Sequence, residues 1–245
     1  MKINDKIIEL TEALLLILIL TTLFFCDPFR INYKITDLLR LNFPIFVKEP
    51  RLLFYAHIYI GTFIAKTMAL LFIAALAMAG RVDLSNNLAI RPPRWRGWIY
   101  YIAPFIIFSV AIRIYYARNP LIPNLPLRLV FPEAMIVGNA AIILSVLFIA
   151  PIAEELIFRG YLFDIFERNF GVLVSILSTS ILFALAHMPQ LDFRPLDTAM
   201  IFVLGLVFGT MRYMTGSSVI SIFFHGLYNL IYVVIGFIIY FIVGY

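Results

Sequence analysis

The sequence predicts an all-α fold, a polytopic membrane bundle of about seven transmembrane helices. Hydrophobic residues make up 63% of its 245 residues, charged residues only 13%, and the mean hydropathy is +0.98. Soluble globular domains contain about 45–50% apolar and about 25% charged residues. A transmembrane helix needs about 20 mostly apolar residues to cross about 30 Å of hydrocarbon, so this chain can hold about six to eight of them.

Seven apolar runs, separated by loops with prolines and charged residues, define the predicted helices. The last run is long enough for a tilted or broken helix, so a count of eight stays open. We predict one transmembrane domain over 1–245, with additional N-terminal helices over 1–150, a motif-bearing core over 151–229 and the end of the last helix over 230–245. The runs are Leu10–Phe25, Leu52–Ala79, Gly97–Ala117, Ala134–Phe158, Val172–His187, Thr198–Met211 and Val219–Val243.

Local signals refine the first and the last two runs. Acidic residues interrupt the basic approach to the first run, which predicts a retained helix rather than a cleaved signal peptide. Gly205 and Gly209 are four residues apart, a spacing that lets membrane helices approach closely, so both are interpreted as packing residues. Ser217 or Ser218 is expected to cap the last helix.

The formal net charge of +5 indicates an anionic partner that contacts the loops rather than one face of the fold. Lys and Arg residues lie mostly in loops between the apolar runs, which favours anionic lipid headgroups and argues against nucleic acid. These cations are distributed almost evenly over the two sides, so the positive-inside rule predicts no orientation. Cys26 is the single cysteine, which excludes a disulfide or a cysteine metal cluster within one chain.

The fourth run carries three ionisable residues, Glu154, Glu155 and Arg159. Such residues cost about 2.5 to 3.5 kcal/mol each on insertion scales, so a functional site is the first hypothesis. In a helix, Glu155 and Arg159 share a face and can form an ion pair, whereas Glu154 points about 100° away and stays available for chemistry. The alternative is a structural ion pair that fixes helix packing, with Glu154 at a membrane boundary.

Histidines in the fifth and last runs are the other candidates. His187 ends its run, where a histidine alone is more often an interfacial or packing residue than a catalyst. His225 and Asn229 are four residues apart and share a helical face; the alternative role for this pair is a hydrogen-bonded contact between helices. No role is assigned to three other polar residues, which stand isolated in apolar or aromatic surroundings: Lys66, Arg113 and His57.

Three motifs occur in order: E-E-x-x-x-R at 154–159, F-x-x-x-H at 183–187 and H-x-x-x-N at 225–229. In this order, with their flanking residues, they resemble the CAAX protease and bacteriocin-processing (CPBP, or Abi) family of intramembrane peptidases, which includes the Ras-converting CAAX endopeptidase. The resemblance covers Pro151–Asn229, and 1–150 has no counterpart in it.

The resemblance implies an intramembrane endopeptidase, a hydrolase that cleaves a membrane-associated or lipidated protein or peptide with a glutamate-activated water. Prenylated CAAX proteins are among the substrates it implies. By position, Glu154 is expected to be the general base, assisted by His187, while His225 and Asn229 are expected to stabilise the oxyanion. The supporting residues are then Glu155 and Arg159.

A zinc-dependent metalloendopeptidase is the rival mechanism. Glu154, His187 and His225 have the composition of a zinc site with an open position. The sequence lacks the H-E-x-x-H spacing that places two ligands on one helix. The resemblance also implies catalysis without a metal, so we expect no cofactor.

Two functions from other classes remain as alternatives. The same polar residues could form the proton relay of a transporter, but the internal repeats and paired discontinuous helices typical of transporters are not visible in the sequence. A non-catalytic family member acting as an immunity or interaction factor is the other alternative. All residues that the chemistry needs are present, which favours an enzyme.

Overall fold

The computed structural model describes residues 3–25, 66–118, 145–191 and 193–243. Cys26 and His57 lie outside these ranges. Within them the chain is almost entirely helical and contains no strand, which confirms the predicted all-α fold. In chain order the helices are α1 Ile3–Phe25, α2 Lys66–Met78, α3 Ile102–Arg118, α4 Ala150–Glu155, α5 Phe163–Phe170, α6 Val172–His187, α7 Pro195–Thr215 and α8 Ser218–Val243.

Three helical stretches of the described chain are long and apolar enough to cross a membrane: Arg96–Tyr115, Pro195–Thr215 and Ser218–Gly236. Helix α6 and the described part of α2 are apolar but shorter. These stretches confirm the predicted class, a helical membrane bundle. Parts of the second and fourth predicted runs lie outside the described residues, so the count of about seven spans stays a prediction. The last run forms one uninterrupted helix of 26 residues.

Helix boundaries follow local backbone signals. The fifth predicted run coincides with α6, which starts after Gly171, at a positive φ of 86° that favours glycine. The sixth run, predicted as Thr198–Met211, is longer at both ends in α7. This helix starts at Pro195, a residue suited to a first helical turn, and ends at Gly216 in the left-handed conformation.

Two π-helical turns flank α4, one over Ser145–Ile149 and one over Leu156–Leu162. The predicted regular helix is therefore interrupted on both sides of the glutamate pair. A π-turn widens the helix locally and occurs often at functional sites. The second turn contains Arg159, which still reaches back to Glu155.

The turn between α7 and α8 is tied to the loop that precedes α3. Ser217 accepts a hydrogen bond from the Val219 amide at 3.3 Å, which confirms a serine cap for the last helix. The Ser217 hydroxyl also donates to the carbonyl of Arg91 at 2.5 Å, and Arg91 Nε donates to the carbonyl of Gly216 at 2.8 Å. These bonds fix the loop against the start of the helix that carries His225.

Ion pairs connect α1 to the loop after α2 and to α5. Arg168 contacts Glu9 at 2.7 Å, Arg81 pairs with Glu12, and the Tyr161 hydroxyl donates to Glu12 at 3.2 Å. The predicted N-terminal helix is thus anchored by charged contacts to the motif-bearing segment.

Helices α6 and α7 pack in close contact at Gly205. A Cβ atom added there would lie 3.0 Å from Ser180 Cβ and 3.1 Å from Ser180 Cα, which confirms Gly205 as a packing residue. At Gly209 the nearest atom, Ile176 Cγ2, would be 3.4 Å away, an ordinary contact distance. The requirement for glycine is therefore strict at the first position and weaker at the second.

We expect Gly205→Ala to destabilise the protein by about 1–3 kcal/mol, because the new methyl group would push α6 away from α7. The carbonyl of Gly205 accepts a bond from Arg159, so this shift would also disturb the polar centre. Thermal unfolding in detergent measures the effect, and Gly209→Ala is the matched control with a smaller expected change. Equal melting temperatures for the two variants would contradict the assignment.

Candidate active site

Glu154 lies at the centre of a group of side chains from four helices. The residue is 3% exposed. Its Oε1 lies 2.5 Å from Lys66 Nζ, and its Oε2 lies 3.4 Å from His187 Nε2 and 3.8 Å from His225 Nε2. The two carboxylate oxygens therefore have different surroundings, a cation on one and two imidazole rings on the other.

Glu155 forms a second, fully buried centre beside the first. Its Oε1 accepts hydrogen bonds from Arg159 Nη1 at 3.1 Å and from His225 Nδ1 at 2.9 Å. Arg159 also donates from Nη2 to the carbonyl of Gly205 at 3.1 Å. The ion pair between Glu155 and Arg159 that was expected from the four-residue spacing is present, and the same Glu155 oxygen also binds His225.

Hydrogen bonds determine which imidazole nitrogens carry protons. His187 Nδ1 lies 2.7 Å from the carbonyl oxygen of Phe183, which can only accept, so Nδ1 donates. In the neutral ring, His187 Nε2 is then a proton acceptor that faces Glu154. His225 Nδ1 donates to the Glu155 carboxylate in the same way, and its Nε2 also faces Glu154. This arrangement orients both rings with Nε2 toward one carboxylate oxygen.

Two phenylalanines form the apolar walls of the site. The ring of Phe183 lies 4.5 Å from the His187 ring and 5.6 Å from the His225 ring, measured between centroids. Phe208 stacks on His225 at 5.1 Å with an interplanar angle of 16°. The guanidinium of Arg159 lies over Phe183 at 4.2 Å. The aromatic rings thus restrict the rotamers of the polar groups and exclude bulk water from their flanks.

Asn229 lies one turn beyond His225 on α8. Its side-chain amide donates to the carbonyl of Val146 at 2.8 Å, in the π-turn before α4. The structure therefore brings five of the six predicted residues into direct contact, while Asn229 connects α8 to the segment that carries Glu154. Its role at an oxyanion stays a prediction.

Lys66 is the site residue that the sequence analysis missed. It was interpreted as an isolated charge, and its ion pair with Glu154 corrects that interpretation. Glu154 was expected to be available for chemistry, and one of its two oxygens is bound to this cation. The signal was a lone lysine in an apolar run, which is costly unless it has a partner. No spacing rule connects it to Glu154, because they are distant in the sequence. Phe208, which is buried, was also missed, since nothing in the sequence distinguishes it from exposed aromatic residues of the apolar runs.

The fold and the site together define an all-α membrane protein with a buried glutamate–histidine centre. Residues 136–231 match the family model described as Type II CAAX prenyl endopeptidase Rce1-like, which confirms the resemblance to the CAAX protease and bacteriocin-processing family. All three motifs fall inside the match, whereas Lys66 falls outside it. No curated protein and no solved structure matches the chain.

Proposed function

We propose that the protein is an intramembrane endopeptidase in which Glu154 and His187 activate a water molecule. The observation that carries the proposal is the pair Glu154 Oε2 and His187 Nε2, 3.4 Å apart. With Nδ1 donating to Phe183, both atoms are acceptors while the ring is neutral. Two acceptors that share one water lie about 4–5 Å apart, so a separation about 1 Å larger than the one seen would admit a water that donates one hydrogen to each. A water held in this way is positioned for deprotonation by the carboxylate.

The proposed reaction begins with proton transfer from this water to Glu154 while the water oxygen attacks the peptide carbonyl carbon. The carbonyl π bond breaks and its electron pair forms an oxyanion. When the tetrahedral intermediate collapses, the C–N bond breaks and the proton held by Glu154 passes to the leaving nitrogen. Water is consumed, an acid and an amine are released, and the glutamate returns to its initial state.

His225 and Asn229 are the proposed oxyanion donors. Because His225 Nδ1 donates to Glu155, Nε2 can donate to an oxyanion only when the ring carries both protons. Asn229 has a second amide hydrogen beyond the one donated to Val146. Each donor to an oxyanion contributes on the order of 3 kcal/mol.

Prenylated proteins with a C-terminal CAAX sequence are the substrate class that we propose. The family match supports this class, since its members are described as CAAX prenyl endopeptidases. The apolar surface of the bundle supports it as well, because a lipidated peptide is concentrated in the bilayer in which the site lies.

We propose that this chemistry needs no metal. A zinc site would use Glu154, His187 and His225 as ligands. The ammonium group of Lys66 binds the same carboxylate at 2.5 Å, and it would repel a divalent cation beside it. Glu154 therefore fits the role of a base paired with a lysine better than that of a zinc ligand.

A peptide-cleavage assay in proteoliposomes tests the function. The substrates are a farnesylated peptide ending in a Cys-aliphatic-aliphatic-X sequence, the same peptide without farnesyl, and an unrelated transmembrane peptide. We expect the wild type to cleave the farnesylated peptide fastest, as detected by mass spectrometry, and a chelator to leave the rate unchanged. Absence of cleavage of all three peptides would contradict the proposal, and lasting loss of activity after chelation would favour the zinc mechanism.

His187→Ala is expected to lower the cleavage rate by about 100-fold or more, the range of an acid–base group in the transition state. The matched control is Leu185→Ala on the same helix, because the side chain of Leu185 is 41% exposed at the surface of the protein. Similar rates for the two variants would contradict the role of His187.

A further inference from the structure

Lys66 is the first described residue of α2, in a part of the chain that the family match does not include. Its side chain is 15% exposed, and its Nζ lies 2.5 Å from Oε1 of Glu154, whose side chain is 4% exposed. This contact joins the N-terminal helices to the proposed general base.

The charges of the site balance through this contact. The groups that face Glu154 or its neighbour come from the helical segment over 145–170, from α2, from α6 and from α8. Two carboxylates are opposed by two cations, so the sum is zero while both histidines are neutral. The groups are Glu154, Glu155, Arg159, Lys66, His187 and His225.

Arg159 cannot take the place of Lys66 at Glu154 without giving up its own contacts. Its guanidinium is bonded to Glu155 and to the carbonyl of Gly205, and it lies over the ring of Phe183. Without Lys66, the carboxylate of Glu154 would be a buried anion with no directly bound cation among the described residues. A buried charge in that situation is strongly disfavoured, and the carboxyl group takes up a proton instead.

Building on the peptidase function proposed above, we propose that Lys66 is a positioning residue for the general base. It holds Glu154 in the ionised form, and by binding Oε1 it leaves Oε2 directed at His187 and His225. The two carboxylate oxygens of Glu154 then have different roles: Oε1 binds the lysine, and Oε2 binds the water. The N-terminal helices then control the activity of the site through the position of α2, although the catalytic motifs lie elsewhere in the chain.

Enzyme kinetics of Lys66→Met, Lys66→Arg and the control Arg81→Met test this inference. Arg81 follows the C-terminal end of α2 and pairs with Glu12. Arg81→Met therefore removes one positive charge, as Lys66→Met does, but at a position outside the site. Without the lysine, a higher pH is needed to ionise Glu154, so the acidic limb of the pH profile of kcat should move upward by about one to three pH units. At a pH below the shifted limb, the kcat of Lys66→Met should be lower than that of the wild type by about tenfold for each pH unit of the shift.

Lys66→Arg keeps the positive charge, so its acidic limb should remain near that of the wild type. A general loss of structure would lower activity at all pH values without moving the limb. The inference is overturned if the limb of Lys66→Met coincides with that of Arg81→Met, or if Lys66→Arg shifts as far as Lys66→Met.

A thermal unfolding cycle in detergent tests the pairing independently of catalysis. It compares the wild type, Lys66→Met, Glu154→Gln and the double variant. We expect the double variant to melt at a higher temperature than Lys66→Met, because it no longer contains a buried carboxyl group that must either stay charged without a cation or take up a proton on folding. Additive effects of the two changes would overturn the pairing. If the wild type cleaves no peptide, the proposed function fails, but this cycle still decides whether Lys66 and Glu154 are coupled.

Discussion

Glu154→Gln is expected to lower kcat for peptide cleavage by about 10²–10⁴-fold, the contribution of a general base. The amide has nearly the shape of the carboxylate but cannot take a proton from water at neutral pH. Oε2 of Glu154 is the oxygen that faces both imidazole Nε2 atoms, so the loss should affect the chemical step. Substrate binding, measured as the Kd of an uncleaved farnesylated peptide, should change little.

The matched control is Glu167→Gln, which removes the same charge from α5, on the same continuous helical segment but away from the site. Its kcat should stay close to that of the wild type. Cleavage by Glu154→Gln within a few-fold of the control would exclude Glu154 as the base. Loss of wild-type cleavage after addition of a chelator would instead indicate that the carboxylate of Glu154 binds a metal.

The sequence predicted most of the site because its residues lie at helical spacings. Glu155 and Arg159 are four residues apart, and His225 belongs to a motif whose order along the chain matches the family. The ion pair of Glu155 follows from that spacing alone. The convergence of His187 on Glu154, in contrast, depends on how α6 packs against α4, so the motif order predicted it only through the family resemblance.

The pairing of Lys66 with Glu154 could not be predicted from the sequence, for a physical reason. Pairing rules operate within one helix, where side chains three or four residues apart are neighbours. An ion pair between helices depends on their relative position and rotation, which one sequence does not contain. Two further features could not be predicted either, because both arise from the backbone rather than from residue type. They are the π-turn over Leu156–Leu162 and the hydrogen bond between His187 and the carbonyl of Phe183.

The fold was predicted well where an apolar run has clear terminal signals. The Val172–His187 run begins after a glycine and ends before Met188 and a proline, and the helix has the same bounds. For α7 the prediction was too short, because Asp197 and Arg212 were read as ends of the apolar run. Asp197 is buried against Arg194 and Arg212 donates to the carbonyl of Arg159, so both polar residues lie inside the helix.

Arg159→Leu is expected to destabilise the protein by about 3–5 kcal/mol, the cost of leaving a buried charge without its partner. Arg159 and Glu155 are both 0% exposed, and the variant would leave Glu155 with His225 as its remaining donor among the described residues. The bond to the Gly205 carbonyl and the contact with Phe183 would also be lost. Thermal unfolding in detergent measures this loss.

Arg168→Leu is the control, because Arg168 is 38% exposed and pairs with Glu9 and Asp164 near the end of α5. A surface ion pair of this kind contributes about 0–1 kcal/mol. Replacing both Glu155 and Arg159 by leucine should restore much of the melting temperature, since no unpaired buried charge remains. That double variant should nevertheless stay inactive, because His225 loses the carboxylate that orients its ring. Recovery of both stability and activity would show that Glu155 and Arg159 serve packing alone, whereas equal melting temperatures for Arg159→Leu and Arg168→Leu would contradict the buried ion pair itself.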